Sequence, residues 1–332
     1  MSQCVSNSYP SITALVAPTQ FIVQLTLPQS PTDLHPTTVP TPTLRTPSAL
    51  LINITHASLT HVDLLYALGK HQNNRRHVQP PFILGTEFAG IVAQAPPFSA
   101  YKPGDRVFGS ALGSYAEQIA VEEKHVRRVP RNWTNAEACA VGVSGAVSWG
   151  ALCHVARLKA GETVLVTGAA GGLGVIACQI ALALGARAIA VVGDEEKAGV
   201  VRGLGVQDVV RYDHEGWEGE VLALTGREGV EVVYDAVGMV ESAIKCLKYV
   251  GRVVVVGFAG RGGVMESVKI NRVLLKSVTV VGYVSRSISS DLFEVLPLPF
   301  AEVVRLMLVV GRGLESMAAD FRTKRKKYGR NS

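Results

Sequence analysis

The sequence predicts an α/β chain of two domains, a mainly β module followed by a parallel sheet with crossover helices. Three observations carry this. Up to about residue 130 the chain reads as short strands broken by turn residues. From Thr163 onward, short apolar runs alternate with stretches of helical spacing, as expected of strands buried on both faces. The first of those runs passes into a glycine-rich loop and then into a helix.

Taken in order, residues 21–27 alternate and read as a strand, 28–47 as a long proline-rich loop, and 49–57 as a second strand. Residues 63–68 allow a short helix. Residues 80–92 run from a loop into a strand, and 102–109 form a turn followed by a strand. Helical spacing covers 135–153. Strands are then expected at 163–167, 188–192, 208–210, 230–235 and 252–257. The helices between them are expected to end near 184 and to cover 197–204, 218–224 and 239–249. Strand–helix–strand alternation of this kind gives a parallel sheet with right-handed crossovers. The domain reading is 1–134 for the first module, 135–284 for the parallel-sheet domain, and 285–332 for a return to the first module ending in a divergent basic tail.

The 332 residues suffice for two domains. Nearly half are hydrophobic and 18% are charged, a globular composition. No run of about 18 uncharged apolar residues is present, so no membrane span is expected. The net charge of +6 is matched by six basic side chains between Arg322 and Arg330, which read as a solvated terminus. Nothing else resembles a nucleic-acid module, and no nucleic-acid partner is expected. The five cysteines, Cys4, Cys139, Cys153, Cys178 and Cys246, are odd in number and lack C-x-x-C spacing, the usage of a reducing compartment. Residues 1–10 lack a secretory pattern. A cytoplasmic location is expected, with a mitochondrial one as the alternative.

The strand at 163–167 runs into Gly168-Ala-Ala-Gly-Gly-Leu-Gly174, which holds A-x-G-x-x-G spacing over Ala169, Gly171 and Gly174. A pyrophosphate must approach the backbone closely, which excludes a Cβ at the middle position. The last glycine lets helix pack on strand, and the helix then offers free N–H groups and its dipole to the phosphates. Gly172 and Leu173 lie in that first turn. A glycine-rich turn in a non-binding α/β protein is the bland reading, and the strand–loop–helix context weighs against it.

Six stretches together resemble the medium-chain dehydrogenase/reductase superfamily, in its zinc-independent, quinone-oxidoreductase-like and enoyl-reductase-like branch. They are P-P-F-I-L-G-T-E-F-A-G (80–90), K-P-G-D-R-V-F-G (102–109), G-S-Y-A-E (113–117), L-K-A-G-E-T-V-L-V-T-G-A-A-G-G-L-G (158–174), G-V-E-V-V-Y-D-A-V-G (229–238) and G-R-V-V-V-V-G-F (251–258). The resemblance implies a GroES-like substrate domain beside a Rossmann domain, an active site in the cleft between them, a small-molecule substrate and a homodimer. Gly257 is implied in cofactor binding. Zinc members carry a cysteine-rich lobe and a G-H-E motif. Here Gly109 passes directly to Ser110, the motif reads Gly85-Thr86-Glu87, and Thr60 stands at the first catalytic cysteine position. No zinc is expected. The C-terminal part departs from the family after Tyr283, and the substrate domain is expected to be truncated or divergent there.

The cofactor's 2′ position gives two readings. Counting from the fingerprint points to Asp194, which would hold the ribose hydroxyl of NADH. The family pattern for NADPH instead implies Lys197 and Tyr212 near a 2′-phosphate, and NADPH is preferred, with NADH as the alternative. Candidate catalytic residues are Thr60 and Tyr66, each able to donate a hydrogen bond to an oxygen that gains charge; each is also a plausible packing residue. Val147 replaces the family's threonine before the central helix. The functional expectation is a hydride transfer from NADPH to a quinone, enone or similar activated alkene or carbonyl. The alternatives are an enoyl-thioester reductase of fatty-acid or polyketide metabolism, or a weakly active dinucleotide-binding protein with a structural or regulatory role.

Overall fold

The computed structural model describes residues 19–25, 34–71, 78–260 and 266–284. The N-terminal module holds two antiparallel sheets. In the smaller, β1 (Thr19–Leu25) is flanked by β2 (Pro36–Pro40) and β4 (Phe82–Ile83). The five-stranded sheet is built from β3 (Ala49–Ala57), β5 (Glu87–Gln94), β6 (Arg106–Ser110), β7 (Gln118–Glu122) and β8 (Val126–Arg128), in the order β7-β3-β5-β6-β8. The helix α1 (His61–Ala67) follows β3. Strands β3 and β5 pair Ile54 with Gly90, where a Cβ on Gly90 would collide with the Asn53 carbonyl.

The stretch 28–47, expected as loop, contains β2. Its prolines cannot donate to a ladder, and the strand accordingly sits at a sheet edge with proline at both ends. The expected C-terminal return at 285–332 lies outside the described residues.

A long apolar helix, α2 (Asn135–Trp149), continues as a wider π-helical turn over Gly150–Val155. Thr134 caps it by a reciprocal box with Glu137. By length and composition it would suffice to cross a membrane, but most of it is buried inside the protein. One cluster of buried side chains runs from Ala89 and Phe108 of the β module through Ala138, Cys139 and Val141 of α2 into the second domain. The two domains thus share a core through α2.

The second domain is a six-stranded sheet, parallel throughout, made of β9 (Thr163–Thr167), β10 (Arg187–Val192), β11 (Asp208–Arg211), β12 (Val230–Asp235), β13 (Leu247–Val255) and β14 (Thr279–Gly282). Its order is β11-β10-β9-β12-β13-β14. The intervening helices are α3 (Gly172–Ala183), α4 (Glu195–Gly203), α5 (Trp217–Leu224), α6 (Val240–Cys246) and α7 (Ile270–Lys276). The chain builds outward from β9 to β11 and then returns to β12 on the other side. This reversal opens a crevice at the carboxyl ends of β9 and β12.

The sequence expectation of one helix over 239–249 is corrected: α6 ends at Cys246. Leu247 is drawn into the sheet opposite Val230, and the Lys276 ammonium donates to the carbonyls of Ile244, Lys245 and Leu247, satisfying the helix end.

Helix α3 lies close against the turn that precedes it. A Cβ on Gly174 would stand 2.6 Å from Ala169 Cα and closer still to the Gly168 carbonyl, both backbone atoms that cannot swing aside. Gly174→Ala is expected to lower the unfolding free energy by ~1–3 kcal/mol, the usual cost of overpacking. An unchanged urea midpoint would remove close packing as the reason for this glycine.

Candidate cofactor and active site

The glycine loop leaves β9 through Gly168, at φ +59°, and turns back on itself by a bond from Gly171 N–H to the Gly168 carbonyl of 2.8 Å. Ala169 is fully buried and donates its N–H to Val191 of β10. Gly171 is the N-cap of α3 in extended conformation, with no side chain bonded to the helix end. The first-turn amides of Gly172, Leu173 and Gly174 therefore face the crevice with their dipole and without a side-chain cap, which suits a phosphate. The Ser148 hydroxyl of α2 bonds the Leu173 carbonyl and the Tyr234 hydroxyl, at 3.2 and 2.8 Å, fixing this helix start against α2 and β12. Gly257 follows β13, where an added Cβ would meet the Ala236 carbonyl at 2.9 Å.

At the end of β10, Asp194 is the N-cap of α4. Its carboxylate accepts from the Lys197 N–H and forms an ion pair of 2.7 Å with the Lys197 ammonium. The two rival readings of the 2′ position thus fall on partners. Tyr212 donates its backbone N–H to the Val192 carbonyl, and its hydroxyl lies 2.8 Å from where a Cβ on Gly193 would be. A side chain at 193 would have to displace that ring.

Thr60 and Tyr66 lie in the β module. Thr60 is the N-cap of α1; its backbone N–H and its hydroxyl both donate to Asp63 Oδ2, at 2.8 and 2.7 Å. The hydroxyl proton is thereby directed at the carboxylate. Tyr66 is buried, stacked on His71 with ring centroids 4.2 Å apart and edge-on to Phe82 at 5.8 Å. Val147 is half-buried on α2.

The structure adds a feature that the residue patterns did not single out, two wholly buried carboxyl groups, Asp63 and Glu87. Asp63 gathers Thr60, the Thr86 hydroxyl at 3.1 Å and Tyr115. Burial raises its pKa and these donors oppose the rise. Glu87 accepts from the Ser58 hydroxyl at 2.6 Å. Burial, with the Asp63 charge adding to it, pushes Glu87 up to about 7. The sequence signal was an acid inside an otherwise apolar strand, F-I-L-G-T-E-F-A-G. Among the described residues no three His, Cys, Asp or Glu side chains are grouped as a metal site requires.

Because folding raises the Glu87 pKa from 4.5 to about 7, the folded state holds a proton that the unfolded chain releases. Glu87 therefore costs nothing below pH 4.5, and stability falls as pH rises toward 7, by ~3 kcal/mol in all. Glu87→Gln is expected to flatten that part of the stability profile and to raise the melting temperature at pH 8. A profile as steep as that of the wild type would show that Glu87 does not titrate there.

A family model described as zinc-binding dehydrogenase matches residues 172–301, and one described as alcohol dehydrogenase GroES-like domain matches residues 46–131. Quinone oxidoreductase-like protein 2 of Bos taurus is 37% identical over 241 residues, 71% of this chain and 68% of that protein. The mycocerosic acid synthase-like polyketide synthase of Mycobacterium tuberculosis is 35% identical over 218 residues, 64% of this chain and 10% of its own length. Among solved structures, the Escherichia coli quinone oxidoreductase complexed with NADPH matches with a TM-score of 0.77 at 25% identity, over 93% of this chain and 97% of that one.

Proposed function

The chain belongs to the medium-chain dehydrogenase/reductase superfamily, in its quinone-oxidoreductase-like branch, and is an NAD(P)H-dependent oxidoreductase; we propose that it reduces a quinone, an enone or a similar activated alkene or carbonyl with NADPH. The observation that carries this reading is the glycine-rich helix start at Gly171–Gly174, which no side chain caps, set at the point where the strand order reverses. The residues present fit a dinucleotide: Gly171 leaves room for a pyrophosphate, and the crevice extends from it both toward β10 and toward β12. Bound NADPH would supply the hydride, and the protein would orient and polarise. Ala169, Gly171, Gly172, Leu173 and Gly174 are proposed to hold the pyrophosphate, with Gly257 lining the far side.

A metal-free site is part of the proposal. The matching family model has zinc in its description, yet threonines stand at two positions, 60 and 86, where zinc members of the superfamily carry cysteine and histidine. Thr60, with its hydroxyl bound to Asp63, is proposed to shape the cleft by fixing α1, and Tyr66 to form part of its apolar wall. The homodimer and the cytoplasmic location are also proposals, supported by the family resemblance.

The match to a polyketide synthase segment supports a second substrate class, an enoyl thioester. Steady-state assays with NADPH against a quinone, an enone and a crotonyl thioester separate the two, and turnover is expected to survive strong chelators. No turnover of any of the three would favour a binding role without catalysis, and one tightly held zinc per chain would overturn the metal-free reading.

Cofactor choice is testable at the Lys197–Asp194 pair. A 2′-phosphate carries nearly two negative charges and would compete with Asp194 for the Lys197 ammonium. Lys197→Ala is expected to weaken NADPH by ~1–3 kcal/mol, the scale of a charged hydrogen bond, with NADH nearly unaffected. A wild type that prefers NADH, weakened by Asp194→Ala, would reverse the assignment.

A further inference from the structure

At the crevice, a third buried acid has no part in the reading above. Asp235 is the last residue of β12 and is fully buried. Its carboxyl oxygens accept from one hydroxyl and three backbone N–H groups. The Thr167 hydroxyl, at the end of the neighbouring β9, donates to Oδ1 at 2.5 Å. The backbone N–H groups of Val237, Gly238 and Met239 donate to its two oxygens at 3.0–3.3 Å. Thr167 in turn accepts from the Ala236 N–H at 3.2 Å, so its hydroxyl proton belongs to Asp235. Burial, the largest influence, and the nearby Glu266 charge raise the Asp235 pKa, and these donors oppose the rise because each of them stabilises the charged form.

What this carboxylate organises is a wall. Its donors curl the chain after β12 so that Val237 wedges between two glycines. A Cβ on Gly168, which leads out of β9, would stand 2.7 Å from one Val237 methyl, and a Cβ on Gly260, beyond β13, 2.6 Å from the other. Backbone bonds complete the contact, from Ala259 N–H to the Ala236 carbonyl and from Gly260 N–H to the Val237 carbonyl. Three chain segments leaving adjacent strands are thus one packed unit, with Asp235 at its base.

The position of that unit suggests what it serves. A dinucleotide is extended, and α3 would take its pyrophosphate at the middle of the crevice. The group formed by Gly193, Lys197 and Tyr212 lies on the β10–β11 side and suits the adenosine end. The other half of the molecule then falls on the β12–β13 side, against the wall that Asp235 holds.

Resting on the proposed dinucleotide site, we propose that Asp235 is a positioning residue for the nicotinamide half of the cofactor, clamping through Thr167 and residues 237–239 the wall against which that half lies. The acid binds no part of the cofactor itself; it makes the loop conformation available before the cofactor arrives, so that ordering the loop does not reduce affinity.

The test separates the two halves of the cofactor by fluorescence or calorimetric titration, without turnover. Probes are NADPH and the adenosine-side fragment 2′,5′-ADP. Asp235→Asn replaces an acceptor by a donor that faces N–H or O–H groups, and is expected to weaken NADPH about tenfold or more while leaving the fragment within about twofold. Thr167→Val, which is isosteric and tests the same clamp should Asp235→Asn not fold, is expected to act in the same direction, and Thr167→Ser to restore wild-type binding. Equal weakening of NADPH and fragment would mark a general structural role and overturn the proposal, as would unchanged NADPH binding in both Asp235→Asn and Thr167→Val. A wild type that binds neither probe would overturn this inference together with the dinucleotide site. A wild type that binds both but turns over none of the substrates would overturn the catalytic reading alone.

Discussion

The close approach of α3 to the end of β9 is the constraint on which the second domain depends. A helix seated this near its strand requires a position without a side chain at Gly174, and the same seating brings the helix start to the centre of the crevice. Packing and the proposed binding are therefore coupled: the geometry that lets α3 cover the sheet also leaves its first amides uncapped at the crevice. Sheet order completes the arrangement, because the reversal between β9 and β12 leaves the carboxyl ends of these two strands uncovered by their own crossovers.

The β module is joined to this crevice by α2. Its buried face continues the core of the parallel sheet and also meets β5 and β6, so the cleft walls are not independent. Ser148 shows the consequence at one residue: its hydroxyl ties α2 both to the first turn of α3 and to Tyr234 of β12. The buried polar groups thus sit at junctions between elements, where an apolar side chain could fill space but could not fix one arrangement.

Much of this was legible in the residues. Apolar runs of strand length between helical stretches located five of the six parallel strands, since burial on both faces leaves a continuous apolar signature. The glycine fingerprint located the loop. Less legible were β2, hidden by prolines that mark an edge strand as readily as a loop, and the end of α6, where Leu247 joins the sheet without a breaking residue ahead of it. For Thr60, sequence position suggested a donor to substrate, whereas its hydroxyl is committed to Asp63. Capping and donation call for the same residue types, and only the partner separates them. Lys197 and Asp194 were read as rivals because spacing along α4 does not reveal that a cap and a residue three positions on share one ion pair.

Four acids around the two domains show how one side chain type is assigned different tasks by its donors. Asp194, partly exposed, has a helix end and an ammonium, and its charge is largely spent within the protein. Asp63 is buried among hydroxyls and one amide, which cap α1 and tie it to Thr86, just before β5. Glu87 has the Ser58 hydroxyl and a neighbouring acid, so little supports its charge, and its pKa is pushed up to about 7. Asp235 is held by three backbone amides and a hydroxyl, a donor set that neutralises a carboxylate without any cation. That last solution suits the floor of the crevice proposed to take a phosphate-bearing ligand. A lysine or arginine paired with Asp235 would place a second strong anion site beside the helix start, whereas amides consumed by the carboxylate are no longer available to a phosphate. The loop at the end of β12 is thereby left with little attraction for anions, which on the proposed reading leaves the phosphates to α3.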